Sequence, residues 1–159
     1  SFMPQDQSVR DLVARMKLIP IKDMLQGQRI LFCEDSIVRG TQLKDTIQRL
    51  FDSGAREVHM RISSPPITHS DFYGIDTPSK ASLLAANYDL EGMRAFMGAD
   101  SLAFLSVDGI YRADGYEGRD PRSPQFTDHC FTGEYPTPLT DQNGQAAGTR
   151  QLSFLAEVG

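Results

Sequence analysis

Glu34 and Asp35 stand side by side at the end of a short apolar run, Arg29-Ile-Leu-Phe-Cys33, and Ser36-Ile-Val-Arg-Gly-Thr41 follows them. Adjacent acids can hold sugar hydroxyls and, directly or through water, a Mg²⁺ ion. The stretch after them suits an anion. Gly40 lets the backbone approach a ligand closely, and Ser36 and Thr41 add hydroxyl donors. From Thr41 the pattern turns helical, so unpaired N–H groups at the positive end of a helix dipole face the same point. That is a phosphate cradle. Phosphate, diol and metal together suggest a ribose phosphate. The same spacing also suits a plain strand-to-helix turn with surface acids. The stretch matches neither G-x-x-x-x-G-K-(S or T) nor G-x-G-x-x-G.

The elements that position these residues can be read outward from them. Arg29 to Cys33 reads as a buried strand, rich in strand formers. Leu43, Ile47, Leu50 and Phe51 share one helix face, with Thr41 as the expected N-cap and Gly54 as the stop. Val58, Met60 and Ile62 alternate with His59 and Arg61 in a second strand, Glu57 to Ser63. Strand, helix and strand within about thirty residues make a βαβ unit with a right-handed crossover and parallel neighbours. The acid-rich loop then falls at the carboxyl end of the first strand, where open α/β sheets bind ligands.

The rest of the chain reads as follows. A weak amphipathic helix starts at Ser8, with Val9, Leu12, Val13 and Met16 on one face, and a single turn at Met24-Leu25 precedes Gly27. Ser63 to Asp76, with its adjacent prolines, reads as an ordered loop over the sheet end. A helix is expected over about 79–86, and another from Asp89 to Gly98 with Leu90, Met93, Arg94 and Met97 at helical spacing. Asp100 to Leu105 is a candidate strand, and Ser106 starts a short helix. Gly, Pro and Asp dominate from Ala113 to Ser123, which suggests a mobile loop, and the tail from Asp141 reads as poorly ordered.

Bulk properties narrow the class. A chain of 159 residues makes at most one domain with a real core. A formal charge of −5 disfavours nucleic acid as a partner. No apolar run approaches a membrane span, no signal-peptide pattern is present, and two cysteines, Cys33 and Cys130, are too few for a disulfide framework. A reducing cytoplasm is the expected setting. Cys33 is expected in the core.

Four stretches carry a family resemblance. "EDSIVRGT" at 34–41 resembles the phosphoribosyl pyrophosphate (PRPP) motif of type I phosphoribosyltransferases, and more narrowly the "DDSIVRGT" of amidophosphoribosyltransferases. Phe72-Tyr-Gly-Ile-Asp76, Gly98-Ala-Asp-Ser-Leu-Ala-Phe-Leu-Ser-Val107 and Cys130-Phe-Thr-Gly-Glu-Tyr-Pro-Thr137 are similar to further stretches of the latter family. Two positions depart from the motif: Glu34 stands where Asp is usual, and Gln42 where a second Thr is common. Ser1-Phe-Met-Pro4 and the stretch from Arg10 to Leu18 resemble the family's catalytic loop, R-(S or T)-F-x-x-P followed by V-x-x-K-L.

The resemblance implies an incomplete, parallel-sheet, Rossmann-like type I fold. It divides into a lid and connector at 1–28, a core at 29–112 and a partly disordered extension at 113–159. It implies Glu34, Asp35, Ser36, Ile37, Val38, Arg39, Gly40 and Thr41 as PRPP contacts, Glu34 and Asp35 as Mg²⁺ ligands, and Lys17 as the catalytic lid residue, with Arg10 and Arg15 also candidates to face pyrophosphate. The implied reaction passes glutamine-derived ammonia to C1 of PRPP, giving 5-phosphoribosylamine in purine synthesis. The implied partners are a glutaminase domain missing from this chain, purine nucleotide inhibitors and further copies in a homo-oligomer. Some members hold a four-iron, four-sulfur cluster on four cysteines. Here two of those positions are Asp71 and Thr127, so no cluster is expected. His129 reads as a loop histidine, and His69 as a weak nucleotide contact. Two other readings stay open: a different type I phosphoribosyltransferase, and a non-catalytic phosphate-binding or assembly fragment.

Overall fold

The computed structural model describes residues 19–75 and 77–139. Three parallel strands form the centre: β1 (Arg29–Glu34), β2 (Glu57–Ile62) and β3 (Ser101–Phe104), in the order β1-β2-β3. A one-turn helix, α1 (Lys22–Leu25), leads into β1, and α2 (Thr41–Asp52) carries the chain to β2. A long loop, a 3₁₀ turn (Lys80–Ser82), α3 (Leu84–Asn87) and α4 (Leu90–Met97) connect β2 to β3. Two short helices follow, α5 (Val107–Ala113) and α6 (His129–Thr132).

One face of the sheet makes the core. Val58, Met60, Ile62 and Leu102 point to it with Ile30, Phe32 and Phe104, and Ile47 and Leu50 of α2 and Met93 and Met97 of α4 cover them. The side-chain alternation expected of β2 is present, with Val58 and Met60 fully buried. The opposite face is polar and open among the described residues. Arg29 Nε donates to Glu57 at 2.6 Å, His59 bonds Glu57 and Ser101, and Arg61 donates to Ser101 at 3.0 Å.

That open face corrects the buried reading of β1. The strand alternates exposed and half-buried residues; Leu31 is 64 % exposed and Cys33 is exposed. β1 is an edge strand of the described sheet, and only one of its faces meets helices. An apolar run specifies a strand but not how many of its faces are covered.

Two helix expectations also change. Thr41 is the first residue of α2, and Gly40 is the N-cap, in the left-handed conformation at φ +76° with no side-chain cap. The helix expected over 79–86 is broken at extended Leu83, because the Leu84 N–H goes to the Val38 carbonyl at 2.8 Å. The remaining ends agree with the reading. Gly54 and Gly98 follow α2 and α4, and Asp89 and Ser106 cap α4 and α5 by accepting from Gly92 N and Gly109 N. Among the described residues no helix is long and apolar enough to cross a membrane.

The stretch expected to be a mobile loop is anchored in its middle. The Arg119 side chain is 9 % exposed and donates to both Asp128 oxygens and, at 2.7 Å, to Glu134; Asp128 also accepts from Tyr111 Oη at 2.8 Å. Burial alone would raise the Asp128 pKa, but the Arg119 and Tyr111 hydrogen bonds outweigh it and hold the carboxyl below its ordinary value. Removing one partner of a buried pair leaves the other charged and desolvated. Arg119→Ala is therefore expected to destabilise the chain by about 3–5 kcal/mol, read as a lower denaturation midpoint, whereas Arg122→Ala, on an exposed side chain, shifts it little.

Candidate functional site: the loop between β1 and α2

The loop is built from the β1 end outward. Asp35 Oδ1 accepts from Ser36 N at 2.6 Å and from Ser36 Oγ at 3.3 Å, which turns the chain out of the strand. Ile37 is 2 % exposed and plugs the core. The Val38 carbonyl takes the Leu84 N–H, tying the loop to the start of α3. Gly40 then reverses the chain into α2. A Cβ on Gly40 would come within 2.8 Å of Leu84 Cδ2 and 3.3 Å of Phe96 Cε1. The position thus requires glycine twice, for its positive φ and for its close packing.

The outcome is a run of N–H donors at the carboxyl end of the sheet. The amides of Ile37, Val38, Arg39 and Gly40 have no acceptor among the described residues. They lead directly into the first turn of α2, whose own N–H groups start unpaired. Ser36 is half-buried, and Arg39 and Thr41 are exposed. Beside the loop, Ser63 N and Ser63 Oγ both donate to the Glu34 carbonyl at 3.0 Å, fastening the end of β2 to the end of β1.

The two acids differ. Asp35 is exposed and Glu34 half-buried. Burial and, secondarily, the neighbouring Asp35 charge push the Glu34 carboxyl above its ordinary pKa. Glu34 has no cationic partner among the described residues. Lys44 lies over the Phe96 ring, 4.9 Å from its centroid.

The residues singled out from the sequence are brought together at 34–41, with one change of role. Ile37 can offer a ligand only its backbone, since its side chain is core. Lys17, Arg10, Arg15 and Asp76 lie outside the described residues. His69 bonds Thr68 Oγ1 at 2.9 Å and packs on Gly133, where an added Cβ would lie 2.7 Å from His69 Nε2; it closes a loop junction. His129 is 2 % exposed and its Nε2 bonds Asp71 Oδ2 at 2.7 Å, so it is not a free loop residue. Leu84, Phe96 and Ser63 were not picked out at all. Each acts through packing or a backbone bond across the fold, and none carries a local signal.

A parallel α/β sheet with paired acids and a small-residue loop at the end of β1 defines a segment of a type I phosphoribosyltransferase fold. No family model matches the chain. Curated proteins and solved structures do. The chain is 49 % identical over 160 residues to the amidophosphoribosyltransferase of Rhizobium etli, covering 100 % of this chain and 32 % of that protein. It is 42 % identical to the Bacillus subtilis amidophosphoribosyltransferase over 87 % of this chain and 29 % of that one. The solved glutamine PRPP amidotransferase from B. subtilis, complexed with ADP and GMP, aligns with a TM-score of 0.73 at 40 % identity, over 89 % of this chain and 31 % of that one. Over the segment it spans, the chain belongs to the amidophosphoribosyltransferase family. That segment is about a third or less of the length of these relatives.

Gly40→Ala tests the loop. Left-handed strain and overpacking against Leu84 and Phe96 are expected to cost roughly 2–4 kcal/mol by chemical denaturation. A variant as stable as the parent would show that the turn is not held as described.

Proposed function

We propose that this chain is the PRPP-binding part of an amidophosphoribosyltransferase, in which glutamine-derived ammonia displaces pyrophosphate from C1 of PRPP to give 5-phosphoribosylamine. The observation that carries the reading is the run of amides without acceptors from Ile37 to Gly40, placed beside Glu34 and Asp35 at the carboxyl end of β1. The amides and the start of α2 hold the 5′-phosphate, with Ser36 and Thr41 hydroxyls completing the cradle. In this reading Glu34 and Asp35 take the ribose hydroxyls. As the bond to pyrophosphate lengthens, positive charge grows on the sugar, and the two carboxylates stabilise it. Ammonia attacks the opposite face with inversion. It brings its own lone pair, so no general base is asked of the protein. Lys17, on the lid segment, faces the departing pyrophosphate in this reading.

Glu34 and Asp35 fit a magnesium ion. Both are hard oxygen donors, and Glu34 carries an uncompensated, partly desolvated charge next to a second carboxylate. When bound, Mg²⁺ supplies Lewis-acid neutralisation of pyrophosphate and ribose oxygens. The glutaminase activity that releases ammonia, and the assembly into oligomers, belong in this reading to parts of the longer protein. The B. subtilis relative was solved with ADP and GMP; a purine nucleotide phosphate fits the same cradle and would compete with PRPP.

Titration calorimetry with PRPP and Mg²⁺ tests the proposal on the full chain. Asp35→Asn keeps an oxygen for the Ser36 amide but loses the charge, and is expected to weaken Mg²⁺-dependent binding at least about tenfold, the loss of one charge-assisted contact. Equal affinity in a folded Asp35→Asn chain would sink the assignment of this loop.

A further inference from the structure

The iron–sulfur cluster that the family resemblance allows does not fit this chain. Cluster ligation takes four thiolates. Of the three positions that the resemblance locates in this chain, only Cys130 keeps a thiol, Asp71 and Thr127 standing at the other two. What occupies the place is a hydrogen-bonded acid and imidazole. Asp71 Oδ2 accepts from His129 Nε2 at 2.7 Å, and the two side chains are 4 % and 3 % exposed. Asp71 Oδ1 accepts from Tyr73 N at 2.7 Å and Ile75 N at 3.0 Å, so both carboxylate oxygens are engaged.

We propose that the Asp71–His129 pair is a metal-free clasp that locks the loop over the sheet end to the C-terminal segment. Further contacts run between the same two stretches. Thr68 N and His69 N both donate to the Cys130 carbonyl, at 3.0 and 3.1 Å, and Tyr135 Oη donates to the Ser70 carbonyl at 2.8 Å. Tyr73 meets the His129 ring edge-on with centroids 4.9 Å apart, and Tyr135 flanks the same ring at 5.1 Å. The loop so held begins at Ser63, whose hydroxyl donates to the Glu34 carbonyl at the end of β1.

Asp71, His129 and Cys130 have donor atoms within 4.8 Å of one another, a set that could in principle take a single zinc ion. Geometry favours the clasp. Two light-atom ligands on one tetrahedral zinc sit roughly 3.3 Å apart, given metal bonds of about 2.0–2.1 Å, whereas the Asp71–His129 separation of 2.7 Å is a short hydrogen bond. Cys130 Sγ stands 4.0 Å from Asp71 and adds little to the pair.

The test joins metal analysis with amide hydrogen exchange on the full chain. The chain purified without oxygen is expected to hold no stoichiometric iron, sulfide or zinc, and Cys130→Ser to leave exchange unchanged. His129→Ala is expected to speed exchange at Thr68, His69, Tyr73 and Ile75 by roughly tenfold or more, as loss of a hydrogen bond to a charged group implies. His129→Gln, which keeps a donor at nearly the same reach, restores part of it. One metal ion or cluster per chain that disappears in Cys130→Ser would overturn the proposal. So would unchanged exchange in His129→Ala.

Discussion

The contact of Gly40 with Leu84 and Phe96 is the constraint on which the rest of the site depends. It forces the left-handed turn that ends the loop, and it sets α3 and α4 against the start of α2. Because the turn occupies the N-cap without a side-chain cap, the first amides of α2 are not claimed by a capping hydroxyl. Because Val38 spends its carbonyl on Leu84 and Ile37 spends its side chain on the core, the loop backbone is held from below. The N–H groups from Ile37 to Gly40 are left without an acceptor among the described residues. A donor array needs no rearrangement to receive an anion when its other bonds are already fixed.

The second half of the chain works by a different means. Among the described residues only two short helices follow β3, and the stretch from Gly115 to Thr137 is held largely by side chains. Arg119 and Asp128 tie it to Tyr111 of α5, and Asp71 and His129 tie it to the loop after β2. In both ties the two carboxylate oxygens are engaged: those of Asp128 by Arg119, Tyr111 and Thr132, and those of Asp71 by His129, Tyr73 N and Ile75 N. The loop after β2 is therefore fixed at Ser63 on the end of β1, at the Cys130 carbonyl, at Ser70 by Tyr135, and at Asp71.

Much of this was legible in the residues. The 3.6-residue spacing of Leu43, Ile47 and Leu50 specified α2, and the alternation around Val58 and Met60 specified β2, because each periodicity reflects one buried face. The site loop was legible because its chemistry is local: acids, small residues and a helix start lie in eight consecutive positions. What was missed lies in contacts distant in sequence. Cys33 seemed a core residue since a strand's composition does not reveal a polar, uncovered second face. His129 seemed a loop residue since its partner, Asp71, is 58 positions away. The helix over 79–86 was overestimated since nothing local reveals that Leu84 gives its N–H to Val38. Thr41 was read as the cap since its hydroxyl suits that role, and the packing at Gly40 overrode it.

The central claim is that the backbone amides from Ile37 to Gly40 receive a sugar phosphate. An amide-resolved NMR titration of the full chain with ribose 5-phosphate tests it directly. The account predicts saturable shifts that are largest at Ile37, Val38, Arg39 and Gly40, with smaller ones at Glu34 and Asp35. Saturable shifts centred elsewhere, with those amides unmoved, would contradict it.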